Sequence, residues 1–154
     1  MKERIINAID MLTSNRGEDW FVVLEDAKTE KFIQFTYDEG YGLQLDLPLV
    51  ALEKDEAPKA EKLLAEYNIT AREVEYPEDD ECCCEDEECD CGHDHEHGEH
   101  CDCGCEGEEE SGPFLSFNEK IGDDKAKAVE IAYRVFKEVY GLKDNTDLNV
   151  TIFR

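Results

Sequence analysis

Lys31 to Pro48 reads KFIQFTYDEGYGLQLDLP, two strands and the turn between them. KFIQFTY (31–37) is rich in the aromatic and β-branched side chains that suit a pleated surface. Glu39-Gly40-Tyr41-Gly42 is a turn. GLQLDLP (42–48) then alternates, with Leu43, Leu45 and Leu47 on one face and Gln44 and Asp46 on the other. Upstream, WFVVLED (20–26) reads as a further strand, joined to 31–37 by a turn at 27–30. The three form an antiparallel meander. In this reading Phe32, Phe35, Tyr37 and Tyr41 are core and sheet-face residues, and Trp20 packs against a helix.

Helices flank the meander. Over residues 3–15, Ile5, Ile6, Ile9 and Leu12 make one apolar stripe, and Asn15-Arg16-Gly17 is the stop. Asp55 to Tyr67 suits a second helix, with Asp55 as N-cap, Pro58 in the first turn and Ala60, Leu63, Leu64 and Tyr67 inward. TAREVEY (70–76) and PFLSFNEKI (113–121) read as strands four and five. A long helix capped by Asp123 or Asp124 runs to Tyr140, with Val129, Ala132, Tyr133, Phe136, Val139 and Tyr140 on its stripe and Gly141 ending it. LNVTIFR (148–154) is a short sixth strand or an ordered tail. The expected class is α+β: an antiparallel sheet of about five strands against two or three helices, in the order α-β-β-β-α-β-β-α. It is one domain spanning 1–154, interrupted by an unusual loop at 77–112.

That order, together with FIQFTYDEGYGLQLDLP (32–48) and KAKAVEIAYRVFKEVYGL (125–142), resembles the type III secretion chaperone-like and YbjN-like family. The resemblance covers residues 3–76 and 113–142. It implies an α/β sandwich, often a homodimer, that binds segments of client proteins and carries no catalytic residues. The Cys/His-rich loop is a departure from the family pattern.

The 154 residues include 41 acids and 16 bases, a net charge of −25 at pH 7. The charge is unevenly placed. Residues 77–112 contain 17 acids and no Lys or Arg, and the rest of the chain carries only −8. A chain this negative does not bind nucleic acid or an anionic membrane through its bulk electrostatics. MKERIINAIDML at the start has no apolar core of a signal peptide, and no apolar run approaches a membrane span. The expected setting is cytoplasmic, where clustered thiols serve as metal ligands more readily than as disulfides.

All eight Cys and all four His lie in CCCEDEECDCGHDHEHGEHCDCGC, residues 82–105. The candidate metal ligands are Cys82, Cys83, Cys84, Cys89, Cys91, His93, His95, His97, His100, Cys101, Cys103 and Cys105. Cys-x-Cys spacing predominates, and His93, His95 and His97 continue the alternation. An extended run from Cys89 to His97 therefore offers one soft face with acids and Gly92 opposite. Thiolate and imidazole are ligands for zinc, copper(I) and nickel, and zinc takes four of them tetrahedrally. Folding back at 95–98 would bring Cys89 and Cys91 to Cys101 and Cys103, the preferred site, with His ligands completing a neighbouring one. The Cys-x-Cys pattern is metallothionein-like rather than that of a zinc ribbon with paired C-x₂-C units. High charge, few apolar residues and Gly at 92, 98, 104 and 107 predict that the loop orders only on binding metal.

Outside the loop there is no Cys and no His, hence no Ser–His or Cys–His pair, and no Gly-rich phosphate loop. The chain is read as a non-enzyme whose partners are metal ions, zinc first, and a client protein. The alternative is a protein-binding module of chaperone type in which the loop is only regulatory or disordered.

Overall fold

A computed structural model describes residues 1–14, 20–74 and 114–153. Contacts divide the chain into one unit of Glu75–Pro113 and another of Met1–Val74 with Phe114–Arg154. Its elements are α1 (Lys2–Ser14), β1 (Phe21–Asp26), β2 (Lys31–Asp38), β3 (Gly42–Pro48), a 3₁₀ turn at Leu49–Ala51, α2 (Ala57–Ala65), β4 (Arg72–Val74), β5 (Phe114–Gly122), α3 (Lys125–Arg134), a π turn at Val135–Val139 and β6 (Asn149–Phe153). The strands form one antiparallel sheet in the order β4-β5-β3-β2-β1-β6. The α+β class and the β1-β2-β3 meander agree with the sequence pattern. The sheet has six strands rather than about five, because 149–153 pairs with β1 instead of trailing as a tail.

Period-two alternation sends Val22, Leu24, Ile33, Phe35, Leu43, Leu45, Leu47 and Phe117 to one face, all essentially inaccessible to solvent. Those side chains form one cluster with Ile5, Ile9 and Leu12 of α1, Leu63 and Leu64 of α2, and Ile131, Val135 and Phe136 of the last helical segment. Burial of each large apolar side chain contributes about 1.5–3 kcal/mol relative to exposure, so this single interior dominates stability. The opposite face carries Phe21, Val23, Phe32, Gln34, Thr36, Gln44 and Asp46, which remain partly accessible. Helices thus cover one side of the sheet among the described residues.

Helix details depart from the expectation in three places. In α1 the buried set is Ile5, Ala8, Ile9 and Leu12, while Ile6 is 40% exposed: the inward stripe follows i, i+3, i+4, i+7 and takes Ala8 in place of Ile6. Asp55 does not cap α2. The N-cap position is Glu56, and Asp55 instead pairs with Lys59 one turn on, at 2.9 Å. The last helix is α only to Arg134. The Tyr140 N–H reaches the Val135 carbonyl at 3.1 Å, an i→i+5 bond that widens the final turn. The Leu142 N–H then closes on the Phe136 carbonyl at 2.9 Å, with Gly141 at φ 69°, one residue wider than the usual six-to-one closure at a left-handed glycine. Asp124, of the two candidates, is the N-cap, accepting from the Lys127 N–H at 2.9 Å. The expected stop at 15–17 lies outside the described residues, as do Tyr76 and Pro113 at the ends of strands four and five.

Two interactions fix the sheet locally. At the β3–β5 boundary, Gly42 (φ 79°) lies so close to Gly122 that a Cβ would sit 2.5 Å from the Gly122 carbonyl carbon, so any side chain at 42 forces the strands apart. The Tyr140 hydroxyl donates to the Phe32 carbonyl at 2.7 Å, and burial raises the phenol's pKa well above its usual range.

β4 and β5 close the loop of the unusual segment: Val74 stands opposite Phe114 in their register. The insertion therefore spans the gap between two adjacent antiparallel strands. Loop closure costs about 0.6 kcal/mol per doubling of length. Replacing 77–112 by Asn-Gly shortens the connection roughly eightfold, and the shortened chain is expected to fold and to be more stable by about 2 kcal/mol, read as a higher urea midpoint. Tyr140→Phe leaves the Phe32 carbonyl without its donor and is expected to cost about 1–2 kcal/mol in the same measurement.

Candidate functional site

All twelve sequence-predicted ligands, Cys82 to Cys105, lie outside the described residues. What the structure contributes is their frame. The segment leaves the sheet at Val74 and re-enters at Phe114, opposite one another on strands at one edge. Among the described residues no group of three or more His, Cys, Asp or Glu side chains could hold a metal ion. The described unit contains neither Cys nor His, so every thiol and imidazole of the chain lies in the segment.

Three other features of the described unit warrant the same scrutiny. The first is Lys31, on β2. Its Nζ lies 2.8 Å from Glu56 and 2.9 Å from Glu53, with only 15% of the Lys31 side chain and 9% of the Glu56 side chain accessible. Glu56 also accepts from the Glu53 N–H at 2.8 Å. The Glu56 hydrogen bond, then that from Glu53, raises the Lys31 pKa above its ordinary 10.5. Both carboxylate partners come from the turn before α2, so the pair clamps that turn to β2. Lys31 donates to both carboxylates and Glu56 accepts a backbone N–H besides, the arrangement of a structural clamp.

The second is Arg134. It donates to Glu138 at 2.7 Å, to Glu66 at 2.7 Å and to the Tyr67 hydroxyl at 3.1 Å. Its guanidinium holds the Glu138 and Glu66 carboxyls below their usual range, while burial raises the Tyr67 phenol. The fork geometry of arginine suits such multidentate bridging, and here it ties the end of α2 to α3.

The third is a groove of about 700 Å³ between α1 and α3, floored by Ile6, Ile9 and Val129 and flanked by Lys2, Asp10 and Lys125. Lys125 is held by Asp10 at 2.9 Å. None of these places contains a nucleophile beside a base, and none was singled out by the sequence pattern, which carries no record of pairs brought together across 22 to 115 residues.

Of the four aromatic residues expected in the core or on a sheet face, Phe32, Phe35 and Tyr37 lie on β2, whereas Tyr41 lies in the turn before β3. Phe35 is core, Tyr37 and Trp20 are partly buried against it, and Phe32 lies on the open face. Tyr41 is 37% exposed and lies under the Lys120 ammonium at 4.2 Å, a surface cation–π contact. On the open face Phe21 and Phe153 stack with ring centroids 4.5 Å apart.

No protein-family model, no curated protein and no solved structure matches the chain. No described helix is long and apolar enough to cross a membrane.

The Lys31 clamp gives a test with a definite sign. Its pKa is raised on folding, so its stabilisation is complete below the ordinary lysine value of 10.5 and drains away as pH rises through the raised value. Lys31→Met leaves Glu56 buried without its cation. It is expected to lose about 3 kcal/mol at neutral pH and to lack that alkaline decline, both measured from urea midpoints against pH.

Proposed function

We propose that the protein binds soft metal ions, zinc first, in the 82–105 segment, and that the α+β unit is the chaperone-like interaction fold that carries it. One observation supports the reading above the rest: eight Cys and four His fall within 24 residues, and the remaining chain contains none of either. Four tetrahedral ligands per zinc would allow three separate sites, fewer sites with spare ligands, or a thiolate-bridged cluster. Cys89, Cys91, Cys101 and Cys103 form the preferred first site. The acids interspersed with them raise the local cation concentration. A cytoplasmic setting, copper(I) or nickel as competing ions, and absence of enzymatic activity belong to the same proposal.

The resemblance to type III secretion chaperone-like and YbjN-like proteins supports a second role, capture of a client protein segment, with the loop as a regulatory or disordered addition. The accessible aromatics of the sheet face that carries no helix among the described residues, Phe21, Phe32 and Phe153, favour this reading.

Native mass spectrometry with elemental analysis on protein purified from cells tests the first reading. Several zinc ions per chain are expected, and the Cys89→Ser/Cys91→Ser variant is expected to lose about one of them. Metal-free protein with oxidised thiols would refute it. Client capture that survives replacement of 77–112 would favour the second.

A further inference from the structure

The sheet face that carries no helix among the described residues is not uniform. Its apolar side chains gather on the half made by β6, β1 and β2. Phe153 and Phe21 stack across β6 and β1 with ring centroids 4.5 Å apart. Val23 follows two residues along β1, and Phe32 stands on β2 opposite Glu25. Phe153 is 44% exposed, and Phe21, Val23 and Phe32 are partly accessible. The half made by β3 and β5 is polar instead, with Gln44 bonded to Asn118 and Ser116 to Asp46. Apolar side chains grouped in this way, in a chain whose residues are 37% charged, mark an interaction site. The border of the band is acidic. Glu25 lies at its Phe32 end. Asp38 lies at the other, two residues past Thr36, which pairs with Phe21. Asp46 flanks it, opposite Gln34. The bases in register on this face, Lys120 and Arg72, lie at the far side on β5 and β4. They are engaged there, Lys120 over the Tyr41 ring and Arg72 with Glu119.

We propose that this band docks a basic amphipathic helix of a partner protein. The helix lays its apolar stripe on Phe153, Phe21, Val23 and Phe32 and turns Lys or Arg toward Glu25, Asp38 and Asp46. The inference rests on the client-capture reading above and names the surface and the chemistry of the client. Three features select that occupant. The first is shape. β1 and β2 are interior strands whose backbone bonds are used within the sheet, so what they offer a partner is a side-chain surface, which a helix covers in a layered fold. The second is size. Three neighbouring strands span about 10 Å, the width of one helix with its side chains. From Phe21 to Glu25 the band runs about 13 Å, room for apolar anchors at i, i+3 or i+4, and i+7 of a helix. The third is charge. The acids at both ends and along one flank match a basic rim. The chain as a whole, at −25, speeds the encounter with a basic segment and opposes an acidic one, a second copy of itself included.

Fluorescence anisotropy of labelled peptides titrated with the full-length chain, in reductant, is the test. The peptides have about 18 residues, or five helical turns, and the salt is about 150 mM, which screens long-range attraction to the acids. One peptide has an amphipathic Leu/Lys pattern, one replaces each Leu by Ser, and one replaces each Lys by Glu. The Leu/Lys peptide is expected to bind about tenfold or more tightly than either of the others. Phe153→Ser is expected to weaken it about fivefold, and Glu25→Lys about threefold. Val50→Ser, at a valine 81% exposed in the turn after β3, and Glu61→Lys, at an exposed position on α2, are expected to leave the dissociation constant unchanged. Equal binding of the Ser/Lys or the Leu/Glu peptide, or binding of none, overturns the basic amphipathic partner. Leu/Lys binding indifferent to Phe153→Ser and Glu25→Lys overturns the face and leaves client capture standing. Release of self-associated chain by the peptide would make a second copy the occupant and overturns the proposal as well.

Discussion

The antiparallel pairing of β3 with β5 is the constraint on which the rest depends. It joins Gly42–Pro48 to Phe114–Gly122, two stretches that lie on opposite sides of the acidic segment in the chain. Without it the sheet would end as a three-stranded meander plus β6, and Phe117 and α3 would have no fixed position. Two different chemistries hold the pair. On the inner face Leu47 stands opposite Phe117 in the core. On the other face Gln44 donates to Asn118 and the buried Ser116 hydroxyl to Asp46 at 2.5 Å, so polar groups of that side satisfy one another across the strands. The close approach of Gly42 to Gly122 ends the pairing where the chain turns into α3.

Because β5 takes the place beside β3, β4 is left at the margin with β5 as its one neighbour in the sheet. The segment begins after β4 and ends before β5, whose register pairs Val74 with Phe114. A loop placed there can be long at little cost, since closure entropy grows only with the logarithm of length. This explains how one polypeptide carries a stretch with 17 acids and twelve soft ligands in 36 residues beside an ordinary apolar core. The core residues and the chemistry-bearing residues do not compete for the same positions.

The ion pairs of the described unit serve cohesion. Lys31 with Glu56 and Arg134 with Glu66 each bridge elements that the helices alone would leave loosely attached at the α2 end of the molecule. α2 is only nine residues, Ala57–Ala65, and below about 12 residues a helix is marginal without tertiary support. Its attachment through Leu63 and Leu64 is reinforced at one end by Lys31 and at the other by Arg134. In a strongly acidic chain, these scarce cations are placed where they neutralise carboxylates between elements.

Residue pattern alone determined much of this protein. The alternation of 42–48, the aromatic run of 31–37 and the 3.6-residue stripes around Leu12, Leu64 and Phe136 are local signals, set by which side chains can share one face of a strand or helix, and they were sufficient for the α+β class, the meander and most of the core. The candidate ligands were legible for the same reason: their chemistry lies in residue type and close spacing. Only the tertiary structure decided what depends on distant partners. It turned 149–153 into a strand by giving it β1 to pair with, and it made Ala8 rather than Ile6 an inward residue of α1. It also replaced the last α turn with a π turn that delivers Tyr140 to the Phe32 carbonyl, and it set an uncharged strand at one edge of the sheet and a charged one at the other. Each of these follows from which neighbour a backbone or side chain meets in space, and a linear pattern carries no term for that.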